Sequence, residues 1–132
     1  MKKKILIVED EKMLGEMYQD KFKQAGFSVS WVQSAEEAIE AVKKSKPDLV
    51  LLDILLPKAN GIGFIGWLRE EKKFSSVKVI AFSNFDEPTT KKEALELGVK
   101  YYLIKTDYTP QGIVEKVKKY LEEDKTGHEK DS

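Results

Sequence analysis

The sequence predicts an α/β fold: a doubly wound, five-stranded parallel sheet of strand order 2-1-3-4-5, with helices on both faces. Three observations predict it. Short apolar runs (KILIV, FSVSWV, DLVLLD, VKVIAFS, YYLI) alternate with longer stretches of helical period, and successive parallel strands need a right-handed helical crossover. The first, third and fourth runs are apolar throughout, as strands covered on both faces are. The second alternates apolar and polar residues, which places it at an edge.

Each element has its own signal. After Ile5 to Val8 come Leu14, Met17, Tyr18 and Phe22, a helical stripe closed by Gly26, a residue suited to a helix stop. Ser34 and Glu37 have capping-box spacing ahead of Ala35, Ala38, Ile39 and Val42. Lys43, Lys44 and Lys46 complement the negative end of that helix, and Pro47 ends it. The third strand then runs into the turn-rich PKANG, which precedes a helix carrying Phe64, Ile65 and Leu68 on one side. Pro88 fits the first turn of a helix ending at Gly98. Thr109 and Pro110 read as the cap and first residue of a last helix that turns Ile113, Val114, Val117, Tyr120 and Leu121 inward. Beyond residue 123, DKTGHEKDS has no apolar side chain. Residues 1–123 are therefore expected to form one domain, and residues 124–132 a frayed polar tail.

At 132 residues the chain is long enough to bury a core of its own. Lysine plus arginine and aspartate plus glutamate both total 23, so no net charge draws the chain to nucleic acid or to a membrane surface. The absence of cysteine excludes a disulfide framework, a thiolate metal site and a cysteine nucleophile. MKKKILIV opens like a signal peptide, but its apolar stretch is too short for one, and no segment reaches transmembrane length. A cytoplasmic protein is expected.

In a doubly wound sheet the site lies at the carboxyl ends of the strands, where the order reverses between the first and third. The first strand delivers Glu9 and Asp10 to that edge, the third Asp53, the fourth Ser83 and Asn84, and the fifth Lys105. Asp10 or Asp53 alone can be explained as a helix or turn cap. Together, like charges on adjacent buried strand tips are costly without a counter-ion. A divalent cation resolves the conflict, since carboxylates with water and a backbone carbonyl are the oxygen ligands magnesium takes. Asp53 then suits a nucleophile toward a phosphoryl group, with Lys105 as the ammonium and Ser83 as a hydrogen-bond donor to its oxygens.

These marks, namely LIVEDE, DLVLLDILLPKANG, VIAFSN and YYLIK, resemble the receiver domain of two-component response regulators, a flavodoxin-like (CheY-like) fold. The resemblance spans about residues 3–123. It implies that Asp53 accepts phosphate from the phosphohistidine of a sensor histidine kinase or phosphotransfer protein. It implies that Glu9, Asp10, Asp53 and the Leu55 backbone carbonyl place Mg2+, and that Ser83 and Tyr102 move on activation. A downstream protein target would be read by the fourth helix, fifth strand and fifth helix. The resemblance implies a signalling domain that is at most slowly self-dephosphorylating and not an enzyme, a monomer or weak dimer. Two rival readings are a binding module that is never phosphorylated and a phosphatase or phosphotransferase with an aspartyl-phosphate intermediate. The second would need a cap or a general acid–base residue that the sequence does not show.

Other patterns carry less. GIGFIG matches a dinucleotide fingerprint, but Pro57, Lys58, Ala59 and Asn60 separate it from the strand it would have to follow. His128 lies in the polar tail, and Trp31 and Trp67 read as packing residues. Four positions depart from the family pattern. Thr106 stands where a proline usually follows the lysine, and Asn84 where a smaller residue follows the hydroxyl. Leu55 and Phe85 flank the expected approach of water to a phosphoryl group. A cis Lys105–Thr106 bond is expected in place of a rearranged trans loop, and the apolar pair Leu55 and Phe85 is expected to slow loss of phosphate.

Overall fold

A computed structural model describes residues 2–56, 61–84 and 86–131, with side chains up to Glu123. Strands β1 (Lys4–Val8), β2 (Ser28–Val32), β3 (Leu49–Asp53), β4 (Lys78–Ser83) and β5 (Tyr101–Ile104) alternate with helices α1 (Lys12–Gln24), α2 (Ala35–Lys44), α3 (Gly61–Glu70), α4 (Pro88–Glu96) and α5 (Pro110–Asp131). The strands form one parallel sheet in the order β2-β1-β3-β4-β5. The edge position of β2 follows from its sequence, because Ser28 and Ser30 leave one face with only Val32 to cover.

Central strands feed two cores, because successive side chains point to opposite faces of a sheet. Leu6, Val8, Val50, Leu52, Val79 and Ala81 pack beneath α2, α3 and α4. Ile5, Ile7, Leu49, Leu51, Ile80 and Phe82 pack beneath α1 and α5. Residues 49–52 of β3 are fully buried, so its apolar run is accounted for by two covered faces.

Local signals act as the chemistry of caps requires. The Ser34 hydroxyl accepts the Glu37 N–H at 3.1 Å. The reciprocal bond is displaced by one residue, since Glu37 accepts the N–H of Gln33 at 2.8 Å. The Thr109 hydroxyl accepts the Gly112 N–H at 2.9 Å and opens α5 behind Pro110. Gly26 and Gly98 take positive φ just after α1 and α4, where a side chain would be strained.

The backbone of α5 is helical from Pro110 to Asp131, through the stretch expected to form a polar tail. The segment has no apolar anchor, but it also has no proline, and each residue added to an existing helix gains a hydrogen bond without a new nucleation cost. His128 and the other side chains of this stretch lie outside the described residues.

Candidate phosphoryl and metal site

The parallel register brings four strand ends to one edge. β1 ends at Val8, opposite Leu52, so Glu9 and Asp53 leave adjacent strands at the same level. Asp53 is paired in turn with Phe82 of β4, and Ser83 with Ile104 of β5. Lys105 is the next residue. The sheet alone therefore assembles two acids, a hydroxyl and an ammonium along one edge.

Lys105 Nζ donates to Glu9 Oε1 at 2.7 Å and to Asp53 Oδ2 at 3.1 Å. All three side chains are nearly excluded from solvent, at 8% exposure for Lys105, 1% for Glu9 and 6% for Asp53. The remaining carboxylate oxygens are also occupied. Glu9 Oε2 accepts the Glu11 N–H at 3.0 Å, and Asp53 Oδ1 accepts the Leu55 N–H at 3.1 Å. Burial pushes the Asp53 carboxyl up to about 7, against the opposing charge of Lys105 and with the help of Glu9. Burial would lower the Lys105 pKa, but the hydrogen bond to Glu9 and the charge of Asp53 outweigh it and raise the value.

Asp10 is half-buried. Glu9, Asp10 and Asp53 each place a carboxylate oxygen within 4.8 Å of the others. Three hard oxygen donors gathered within reach of one another suit magnesium better than a soft transition metal. The site therefore fits the ion that the acids suggest.

The other expected residues stand close by. Ser83 is fully buried at the end of β4, one residue past the partner of Asp53. Tyr102 is buried on β5, and its hydroxyl makes no standard hydrogen bond among the described residues. Burial raises its pKa, and the nearby Ser83 hydroxyl opposes the rise. Leu55 presents its backbone beside Asp53 and leaves its side chain 39% exposed at the rim. Asn84 is exposed. Phe85, Pro57, Lys58, Ala59 and Asn60 lie outside the described residues. GIGFIG forms the opening turns of α3, which leaves no strand-to-helix glycine turn for a pyrophosphate.

The Lys105–Thr106 bond is trans, which corrects the cis expectation: no described peptide bond is cis. Without proline, the trans form is favoured by about 3 to 4 kcal/mol. The chain instead enters a short 3-10 turn over Lys105–Asp107, and the lysine still reaches both carboxylates.

Several supporting residues escape a motif search. The indole N–H of Trp31, on β2, donates to the Glu9 carbonyl at 2.8 Å, and Gln33 Nε2 donates to the Asp10 carbonyl at 3.2 Å. The edge strand thereby fixes the backbone that carries both acids. Trp31 reaches that carbonyl only because residue 15 is glycine, since a Cβ there would overlap the indole. A glycine inside an apolar helical stripe was the available signal. On the other side, Phe82 lies under the Lys105 ammonium at 4.7 Å from the ring centroid, and Tyr18 packs nearly perpendicular to Phe82.

Comparison with known proteins agrees with this architecture. A family model described as the response regulator receiver domain matches residues 5–118. The chain is 34% identical over 121 residues to the alkaline phosphatase synthesis transcriptional regulatory protein PhoP of Bacillus subtilis, covering 92% of this chain and 49% of that protein. It thus spans about half the length of that relative. The polar-differentiation response regulator DivK of Brucella ovis is 28% identical over 121 residues, covering 92% of this chain and 98% of that one. A receiver domain protein (CheY-like) from Methanospirillum hungatei has the same fold, with a TM-score of 0.88 at 23% identity over 96% of this chain and 99% of that chain. A family match over most of the sheet, on a fold that gathers three acids and a lysine at its carboxyl edge, leaves one assignment: the chain belongs to the response regulator receiver domain family.

Proposed function

We propose that the chain is a magnesium-dependent phosphoacceptor, a switch whose Asp53 takes a phosphoryl group from a histidine kinase or phosphotransfer protein. The observation that carries this reading is the buried Lys105 ammonium, held between Glu9 and Asp53 with Asp10 alongside. A structural ion pair would balance one acid with one base. Here one base serves two acids and a third carboxylate gathers with them, an arrangement poised for additional positive charge and for a phosphoryl group that shares it.

An Asp53 oxygen attacks phosphorus, and the P–N bond of the phosphohistidine breaks. The electron pair leaves with the imidazole nitrogen, which takes up a proton, and an acyl phosphate remains on Asp53. Lys105 turns a hydrogen bond from a carboxylate to a phosphoryl oxygen, and Ser83 donates to another. Glu9, Asp10, Asp53 and the Leu55 carbonyl would hold Mg2+, which when bound draws negative charge from the phosphoryl oxygens. Ser83 and the inward Tyr102 then change the surface of α4, β5 and α5 for a downstream protein target. Leu95, 44% exposed on α4, supplies apolar area there. The domain is read as residues 1–123, a monomer or weak dimer in the cytoplasm, with no turnover beyond slow self-dephosphorylation. Among the described residues, no helix is long and apolar enough to cross a membrane.

Phosphoramidate, whose P–N bond resembles that of phosphohistidine, tests the reading. With magnesium, the wild type should run as a retarded band on a phosphate-binding gel, and Asp53→Asn should not. A retarded band in both proteins, or in neither, would overturn it.

A further inference from the structure

The active-site lysine is aimed by something other than the backbone bond that follows it. Lys105–Thr106 is trans and Lys105 begins a 3-10 turn, yet its ammonium reaches two carboxylates on different strands. Two hydrogen bonds leave a third N–H direction and one side of the ammonium to be accounted for. The Phe82 ring takes up that side, with its centroid 4.7 Å from Nζ. This is the shortest cation–ring distance among the described residues, the others running from 5.0 to 6.0 Å.

We propose that Phe82 is a positioning residue for Lys105, its ring face holding the ammonium by a cation–π contact between Glu9 and Asp53. Three further observations support this. Phe82 is the register partner of Asp53, so the ring and the carboxylate rise from the sheet side by side. Phe82 is fully buried and Lys105 only 8% exposed, which puts the contact at the desolvated, stronger end of its range. Tyr18 of α1 stands at 80° to the ring, 5.4 Å between centroids, and restricts its rotation so that a face stays toward the lysine. An aliphatic residue would fill the same volume and offer the ammonium nothing. The ring therefore does what packing alone does not: it stabilises a charge in a buried place while leaving the N–H groups free to be shared with phosphoryl oxygens.

The inference rests on the proposed phosphoacceptor role, and its test separates the two. Phe82 is replaced with phenylalanines bearing one, two and three ring fluorines, which keep the shape and weaken the negative ring face in steps. Two readouts are taken. By NMR, the Lys105 Hε protons should lie upfield of those of exposed lysines in the wild type, and should move toward the exposed value along the series as the ammonium leaves the ring. The rate of phosphorylation by phosphoramidate at saturating magnesium should fall stepwise, by about 3- to 10-fold at three fluorines. Melting temperature should fall by a few degrees along the series, since shape and burial are kept while the contact that stabilises the buried charge weakens. Constant Hε shifts or a constant rate across the series would overturn the proposal. Phe82→Leu adds a check: it should lose the upfield shift entirely, and retention of the shift would also overturn it. If the wild type is not phosphorylated at all, the functional reading fails, and the Hε shifts still decide the role of Phe82.

Discussion

Lys105 Nζ is closer to Glu9 (2.7 Å) than to Asp53 (3.1 Å), so the ammonium is shared unequally between the two buried acids. Glu9 is its anchor, and Asp53 holds the longer bond, the one more readily exchanged for a phosphoryl oxygen. Removing the base leaves two buried carboxylates uncompensated. Lys105→Met is expected to lower stability by about 3 kcal/mol at neutral pH, and the loss should shrink when magnesium is added. Urea unfolding with and without magnesium measures both.

The raised pKa of Asp53 makes an opposite prediction for that residue. Its folded value, about 7, lies above the ordinary aspartate value of 3.8. The stability from its neutral form is complete below about pH 4 and is lost as pH rises through 7, because the unfolded chain ionises first. Asp53→Asn should therefore be more stable than wild type by about 1 to 3 kcal/mol at pH 8, less than the full value of a shift this large because Lys105 loses a partner. The gap should narrow toward pH 4. Unfolding curves at pH 4, 5.5, 7 and 8 give the profile.

Magnesium should raise the melting temperature as its concentration rises, by mass action on the folded state. Asp10→Asn keeps the shape of the side chain and removes a charge, so it should weaken binding about tenfold. Because Asp53 must be ionised to bind a cation, affinity should fall as pH drops below about 7. Calorimetric titration at pH 6 and pH 8 checks the direction.

Trp31 and Gly15 should behave as a pair. Gly15→Ala drives a methyl group into the indole and should cost about 1 to 3 kcal/mol, as overpacking does. Trp31→Phe removes the donor to the Glu9 carbonyl and should cost about 1 to 2 kcal/mol while also weakening magnesium binding. In the double variant the costs should fall short of their sum, which thermal unfolding of all three proteins would show.

Leu55 lies at the rim of the site, and an apolar side chain there cannot hold a water by hydrogen bonds. Leu55→Asn should speed loss of phosphate about 2- to 5-fold, a barrier change of roughly 0.4 to 1 kcal/mol. Decay of the phosphorylated protein in magnesium, without kinase or phosphatase, is the measurement.

The order of the strands was legible because β2 alternates and the central strands β1, β3 and β4 do not, a difference that burial on one or two faces explains. The acids and Lys105 were legible for a related reason: polar residues at the end of an apolar run must leave the sheet at its edge. What was not legible is what holds them. The contact of Trp31 with Glu9 depends on the absence of a side chain at Gly15, and Phe82 reads in sequence only as another core residue. The Lys105–Thr106 bond departs from the family pattern because Thr106 is not proline, and a cis bond there would cost about 3 to 4 kcal/mol.

The central claim is that Asp53 carries the phosphoryl group, and intact-mass spectrometry after incubation with acetyl phosphate and magnesium tests it most directly. The account predicts a gain of one phosphoryl group in the wild type, no gain without magnesium, and none in Asp53→Asn. An unchanged wild-type mass while magnesium demonstrably binds, or the same gain in Asp53→Asn, would contradict it.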